Sequence, residues 1–534
     1  MRLRHERVER SGACLTGAGP VRLLYDPAVR QTWRGLALLA VILTTATIGA
    51  DAAAVKGARA AGPPPVVAVP RATCGPGSHP ETGIQGRVSS ADYADGEAAL
   101  GFNCNTELVG SYTVASGMGT YGGFKVERYI DATGHECAYY DTTLLFPTNI
   151  FNGTTGVNVL DMHDPTHPVL TATLVTAAMA SPHESMVLNQ KRGLLVAVLG
   201  NPGAYPGAVD VYDVTGDCRS PVLRSTTPLG IFGHESGMAP DGLTFYSASP
   251  GTSTLVPIDL TNPSAPLPIS LPGIFDSHGL SISNDGNRAY AAGIRDGLLI
   301  LDTSQVQSRV LNPMMPEIGR PLTWVPMSIP QNAIPVTIHG HPYLIEFDEF
   351  GAQSAVGAGR IIDIADETNP FIVSNLRLEV HQPENFAAQA GDPGANNTAL
   401  QGYAAHYCNV PQRTDPGIVA CSMILSGLRV FDIRDPYNPR EIAYYNAPSR
   451  PAFVVSGNYA MSSPAFAPER HEIWYSEGRS GFYAVRLTNG AWPETVGGVT
   501  PESPFPLALP LAGMVVVGTW LAYLRRRAIS RERW

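Results

Sequence analysis

Between residues 156 and 435 the chain repeats one short pattern six times: a small residue, a β-rich run ending in Asp, and a turn usually punctuated by Pro. The clearest copies are GVNVLDMHDPTHP (156–168), GLLILDTSQ (297–305), GRIIDIADETNP (359–370) and GLRVFDIRDPYNP (427–439). Weaker ones are AVDVYDVTGDCRSP (208–221) and TLVPIDLTNPSAP (254–266). A repeat of this kind constrains architecture more than any single segment, because each copy buries its apolar face only against its neighbours. The terminal aspartates, Asp161, Asp213, Asp259, Asp302, Asp363 and Asp432, are 43 to 69 residues apart. Four strands of five or six residues with their turns need roughly 40–45 residues, so one repeat fits one propeller blade, the longer intervals carrying insertions.

The fourth copy reads most directly. HGLSIS (278–283) alternates as a strand, NDGN (284–287) is a hairpin turn, RAYAAGI (288–294) is a second strand and GLLILD a third. The Asp side chain is suited to bonding backbone N–H groups of the following turn, and Pro fixes φ and ends the strand. These six aspartates therefore read as turn formers rather than catalytic carboxylates. A seventh copy is incomplete: HEIWYSEG (471–478) and GFYAVRL (481–487) match second and third strands, with Arg486 in place of Asp and no fourth strand after it. Upstream of the first repeat, TELVGSYTV (106–114) reads as a lone fourth strand. Pairing it with the last blade closes the ring and leaves no open edge. The expectation is an all-β, seven-bladed β-propeller.

The G-hydrophobic-D-x-x-(D/N)-P-x-x-P pattern, over about residues 105–490, resembles the LVIVD-repeat family of exported bacterial β-propellers. That resemblance implies a propeller at the cell surface and brings no catalytic residues with it. Both termini suit export. Arg34 is followed by GLALLAVILTTATIGA (35–50), a short apolar core with small residues after it, as in a secretory signal. FPLALPLAGMVVVGTWLAYL (505–524) is uncharged over one bilayer's thickness and is followed by Arg525, Arg526, Arg527, Arg531 and Arg533, which holds the C-terminus in the cytoplasm. The order of Pro501, apolar run and arginines also resembles bacterial C-terminal sorting tails. The chain thus divides into a leader (1–52), a linker and N-terminal extension (53–104), the propeller (105–490), a linker (491–504), a transmembrane helix (505–524) and a basic tail (525–534). The expected location is the bacterial plasma membrane, single-pass, with the propeller outside.

A net charge of −10 supplies no basic face for phosphate, so nucleic acid is not an expected partner. Beyond Cys14 in the leader, six cysteines remain (Cys74, Cys104, Cys137, Cys218, Cys408 and Cys421), with no C-x-x-C pair. An oxidising compartment makes disulfides the natural reading. Cys408 and Cys421 fall on successive strands and form the candidate pair; the remaining connectivity stays open.

Chemistry, if any, is expected where the innermost strands line the axis. His183, His234, His278 and His406 precede their blade's Asp by 30, 25, 24 and 26 residues, at the start or middle of the first strand. One reading is structural: a blade template copies a polar residue that bonds neighbouring blades or channel water, and the repetition favours it. The other is a ring of imidazoles holding iron, copper or zinc, with Glu184 and Glu235 orienting the rings. Seven-bladed carotenoid oxygenases place four histidines in this way, a likeness of architecture only. In blade five, His339 and His341 are ambiguous because HPYLIEFDE reads as a second strand; Glu346 and Asp348 alternate on one face of it and read as solvated. No nucleophile elbow, zinc helix or phosphate-cradling glycine loop is present in the sequence. Two functions from different classes follow. The leading one is an interaction module of the cell envelope that presents loops to a protein, glycan or small ligand. The alternative is a metal-dependent (Fe or Cu) oxidoreductase or lyase.

Overall fold

The structure is a computed structural model that describes residues 64–113, 122–142, 156–200, 207–231, 233–350, 356–395, 402–450 and 457–493. The expected leader, transmembrane helix and basic tail lie outside these residues. Among the described residues, no helix is long and apolar enough to cross a membrane.

Seven antiparallel sheets follow one another along the chain as the blades of a β-propeller. Blade one comprises Val126–Ile130, Glu136–Asp141, Val157–Asp161 and Val169–Leu174. In blade two the strands are Val187–Asn189, Leu194–Val198, Val209–Asp213 and Val222–Thr227. The first three strands of blade three are Ser236–Met238, Thr244–Ser249 and Thr254–Asp259; two short strands, Leu267–Pro268 and Gly273–Ile274, share its outer edge. Blade four has Gly279–Ile282, Arg288–Gly293 and Gly297–Asp302, with only isolated bridges from Glu317 and Leu322 on its outer edge. Blade five holds Ile329–Ile338, His341–Glu349, Gly359–Asp363 and Phe371–Leu376. Blade six holds Tyr407–Asn409, Ile418–Met423, Gly427–Asp432 and Arg440–Asn446. Blade seven takes Ala465–Ala467, Glu472–Glu477 and Gly481–Leu487 from the C-terminal end and Thr106–Tyr112 from the N-terminal end.

The sequence pattern explains this layout. The repeated run is always a blade's third strand, and because neighbouring blades pack against both sides of its sheet, its apolar residues are buried on both faces. The fourth strand of blade two, Val222–Thr227, is an outer strand and stays largely exposed, whereas Arg440–Asn446 of blade six is mostly buried. Each of the six aspartates accepts a bond from the backbone N–H two residues on, from His163 (2.9 Å) through Thr215, Thr261, Ser304 and Ala365 to Arg434 (3.1 Å). That geometry ties off the strand where Pro or a polar turn follows.

Closure is by the strand read from the sequence: Thr106 pairs with Leu487 and Tyr112 with Phe482. Each junction between neighbouring blades holds its own apolar cluster, including the closing one, where Ala138, Tyr140 and Leu160 of blade one meet Trp474 and Phe482 of blade seven.

Two findings differ from the sequence reading. The N-terminal extension enters the propeller earlier than residue 105: Phe102–Cys104 is a fifth strand on blade six, paired with Tyr444 to Asn446. Upstream of it Glu81 reaches the buried Arg429, whose other carboxylate partner is Glu441 at 3.0 Å. Glu346 and Asp348 are fully buried rather than solvated. Arg360, opposite Glu346 in the strand register, lies between them, bonding Glu346 and reaching Asp348 at 2.8 Å. Its guanidinium also covers the Trp324 ring at 4.1 Å.

All six cysteines of the described region are paired. Cys408 joins Cys421 across the first two strands of blade six, Cys137 joins Cys218 between blades one and two, and Cys74 joins Cys104 within the extension.

Candidate metal centre

The four histidines sit where the first strands of blades two, three, four and six begin, at the end of the propeller opposite the aspartate turns. Converging first strands bring side chains from different blades together at the axis. His183, His234, His278 and His406 are all buried, from 0% exposed at His406 to 8% at His234. Their rings are neighbours: His183 to His234 and His234 to His278 each have centroids 4.5 Å apart.

Glu184 is central to the cluster rather than behind it. Its Oε2 lies 3.1 Å from His234 Nε2 and 3.9 Å from His278 Nε2, and its Oε1 lies 3.3 Å from His406 Nε2 and 3.7 Å from His183 Nε2. A sixth residue, Glu349, was not foreseen. Its Oε1 is 3.4 Å from His278 Nε2 and its Oε2 is 2.9 Å from His406 Nε2. It comes from the end of blade five's second strand, so it carries no histidine and obeys no offset from the blade's aspartate. The one sequence hint was blade five's lack of a histidine at the usual place. His339 and His341 lie elsewhere: His341 bonds Asp363 at 2.7 Å, and His339 is on the hairpin turn before it.

Backbone contacts fix two of the tautomers. A carbonyl only accepts, so His278 Nδ1, 3.0 Å from the Pro330 oxygen, carries a proton, as does His406 Nδ1, 2.8 Å from the Met461 oxygen. In the neutral ring, each Nε2 then turns a lone pair inward. His278 Nε2 faces His234 Nε2 at only 2.7 Å, and His406 Nε2 faces the Glu349 carboxylate. At such distances each pair shares a proton or a cation: His234 Nε2 with the His278 lone pair, and His406 Nε2 with the Glu349 carboxylate.

The electrostatics show how tightly the groups are coupled. Burial lowers the basicity of His406, but bonds to Glu184 and Glu349 outweigh it and push the imidazole up to about 9. His278 goes the other way, to about 3, through burial and then the neighbouring His234. Burial works against the Glu184 carboxylate, yet His183 and His234 hold it well below the usual carboxylate range. Glu349 is pushed up to about 7, chiefly by burial.

Two local features leave room for this packing. His183 has φ of +52°, a left-handed backbone that a β-substituted residue adopts only where its surroundings hold it. Gly200 passes so close that a Cβ there would lie 2.3 Å from the His183 Cβ.

Glu235 does not orient an imidazole. It stands just ahead of the strand Ser236–Met238, where it accepts from Lys125 Nζ at 3.1 Å and from the Asn332 side-chain amide. Lys125 also sits 4.2 Å above the Tyr407 ring. Contacts among blades one, three, five and six at one level floor the centre with a buried polar layer.

A second group, Asp131, His135 and Asp217, also lies close together. Its lone pairs are already engaged: Asp131 accepts from Thr133, His135 and Cys218 backbone N–H groups, and Asp217 pairs with Arg219.

No family model matches the chain, and no curated protein matches it. Solved structures with a similar arrangement include a periplasmic gluconolactonase of Pseudomonas aeruginosa, 11% identical, with a TM-score of 0.44 over 62% of this chain and 93% of that one. Hydrazine synthase of Kuenenia stuttgartiensis is also 11% identical, with a TM-score of 0.42 over 70% of this chain and 97% of that one. A functionally unknown protein of Desulfotomaculum acetoxidans is 11% identical, with a TM-score of 0.42 over 63% and 89%.

Proposed function

We propose that this propeller holds a transition metal of the iron or copper type on its axis and works as a metal-dependent oxidoreductase or lyase. The observation that carries this reading is the approach of the inward-facing His234 and His278 Nε2 atoms to 2.7 Å inside a cluster with two carboxylates. Ligands on one ion, bound at about 2.1 Å and at right angles, stand about 3.0 Å apart. The nitrogen and oxygen spacings here, mostly 2.7 to 3.4 Å, fall around that value. An imidazole and carboxylate donor set suits iron, copper or zinc, and such an ion supplies Lewis-acid or redox chemistry.

The protein's own contribution is orientation and dryness. Carbonyls of Pro330 and Met461 lock two rings with Nε2 inward, as outer partners do in metal sites. Phe124, packed against His183 and His406, and Phe350, against His406, keep bulk water from the cluster. The three disulfides support an extracytoplasmic setting, since such bonds persist in oxidising compartments. We place the propeller outside the membrane on that ground and on the hydrophobic ends of the sequence.

The test is the metal content of the purified full-length protein, expressed with iron and copper supplied, beside a His234→Ala, His278→Ala variant. Stoichiometric metal that the variant loses is the expected result. A well-folded, metal-free wild type would overturn the reading and return the interaction module to first place.

A further inference from the structure

We infer that the axial centre is dinuclear, two first-row transition ions bridged by the carboxylates of Glu184 and Glu349. This rests on the metal reading above and extends it. The evidence is how the six side chains divide. Glu184 Oε2 faces His234 and His278, whereas Glu184 Oε1 faces His406 and His183. Glu349 divides the same way: Oε1 faces His278 and Oε2 faces His406. The two carboxylates therefore run side by side, each presenting one oxygen to either half of the histidine set. One half is His234 and His278 with Glu184 Oε2 and Glu349 Oε1. The other is His183 and His406 with Glu184 Oε1, and Glu349 Oε2 beside His406.

Donor number favours the same conclusion. Four imidazole nitrogens and four carboxylate oxygens make eight donors at the axis. A single octahedral ion takes at most six, fills its shell with protein atoms and leaves buried oxygens without partners. Two ions use all eight at four donors each and keep open positions for a substrate. Carboxylate-bridged pairs stand roughly 3.5–4 Å apart, a span that suits donors whose mutual distances run from 2.7 to 3.9 Å. Glu184 Oε2 and Glu349 Oε2 are both buried, and each has an imidazole Nε2 as its near neighbour, that of His234 at 3.1 Å and that of His406 at 2.9 Å. In this arrangement, each is a bond to metal.

A pair of ions held in this way supports two-electron chemistry or activation of a bound water between them, on a substrate small enough to reach a buried axial site. Glu349 is thereby a ligand of equal rank with the histidines, although its blade breaks the pattern.

The experiment is anaerobic reconstitution of the metal-stripped full-length protein with ferrous iron alone, measuring bound iron per chain and then the magnetic state after oxidation. The expected result is two irons per chain, coupled, so that the oxidised centre gives no ferric resonance accounting for the bound iron. Glu349→Gln removes the second bridge and should lower the content to one iron or less, with an isolated ferric signal. His135→Ala should keep two irons, which separates the centre from the Asp131 group. One iron per wild-type chain, or two uncoupled irons, would overturn the dinuclear inference and leave the metal reading standing. No bound iron from ferrous loading, and none of copper in a parallel cuprous loading, would overturn both. The wild-type count decides even where Glu349→Gln fails to fold.

Discussion

The polar layer beneath the histidines makes a prediction whose size follows from the structure. Lys125 and Glu235 form an ion pair with side chains 9% and 0% exposed. Lys125→Met keeps the length and volume of the side chain and removes its charge, leaving a buried carboxylate unpaired. Breaking such a pair typically costs about 3–5 kcal/mol, because the remaining charge has no compensation. Here the penalty has a ceiling, since Glu235 can take up a proton instead. From its ordinary value of 4.5, keeping that proton on at pH 7 costs about 3.4 kcal/mol, at about 1.36 kcal/mol per pH unit. Burial already raises Glu235 in the wild type, with Lys125 opposing it, so the variant's raised carboxyl is raised further. A carboxyl raised in the folded state destabilises above its unfolded value and not below it. The deficit of Lys125→Met should therefore be at most about 0.7 kcal/mol at pH 5 and grow to about 2–3 kcal/mol at pH 7. Urea unfolding of both proteins at the two pH values measures it. Adding Glu235→Gln to Lys125→Met should remove the pH dependence. A deficit independent of pH, or one that the double variant retains in full, would refute the argument.

Three further outcomes follow from other parts of the molecule. Deleting residues 106–112 strips six paired residues from blade seven and exposes an edge, so the melting temperature should fall by several degrees and the protein should associate; an unchanged melt and a monomeric profile would contradict the closure. Arg360→Met leaves Glu346 and Asp348 buried without the cation that bonds them both and should cost about 3–5 kcal/mol, whereas Arg360→Met with Glu346→Gln and Asp348→Asn should recover much of it, as chemical denaturation would show. The Cys137–Cys218 bond spans 81 residues and the Cys408–Cys421 bond 13, so replacing the first pair by Ser should cost about 1.5 kcal/mol more than replacing the second on the loop-entropy account; equal losses would favour local packing instead.

What the sequence made legible was whatever the blade template repeats. Third strands announce themselves because their glycine, apolar run and Asp serve the same local purpose in each blade, and Thr106–Tyr112 could be placed because one blade lacked a strand. The four histidines were legible as an offset, but not their function, because an offset says where a side chain starts and not what it meets. Glu184 and Glu235 show the limit: both follow a histidine, yet one turns into the cluster and the other bonds Lys125 one layer below. Glu349 escaped notice since it belongs to a second strand and answers a neighbour's geometry. Glu346 and Asp348 were misjudged for a related reason: the charge that buries them, Arg360, is opposite in the register and 14 residues away from Glu346 in sequence.

The most direct test of the central claim is anomalous X-ray scattering from crystals of the full-length protein grown after iron or copper loading, recorded on both sides of the metal's absorption edge. The account predicts anomalous density on the propeller axis, about 2.0–2.2 Å from the Nε2 atoms of His234 and His278. An axis without such a peak in loaded protein, its histidines bonded only to each other and to Glu184, would contradict it.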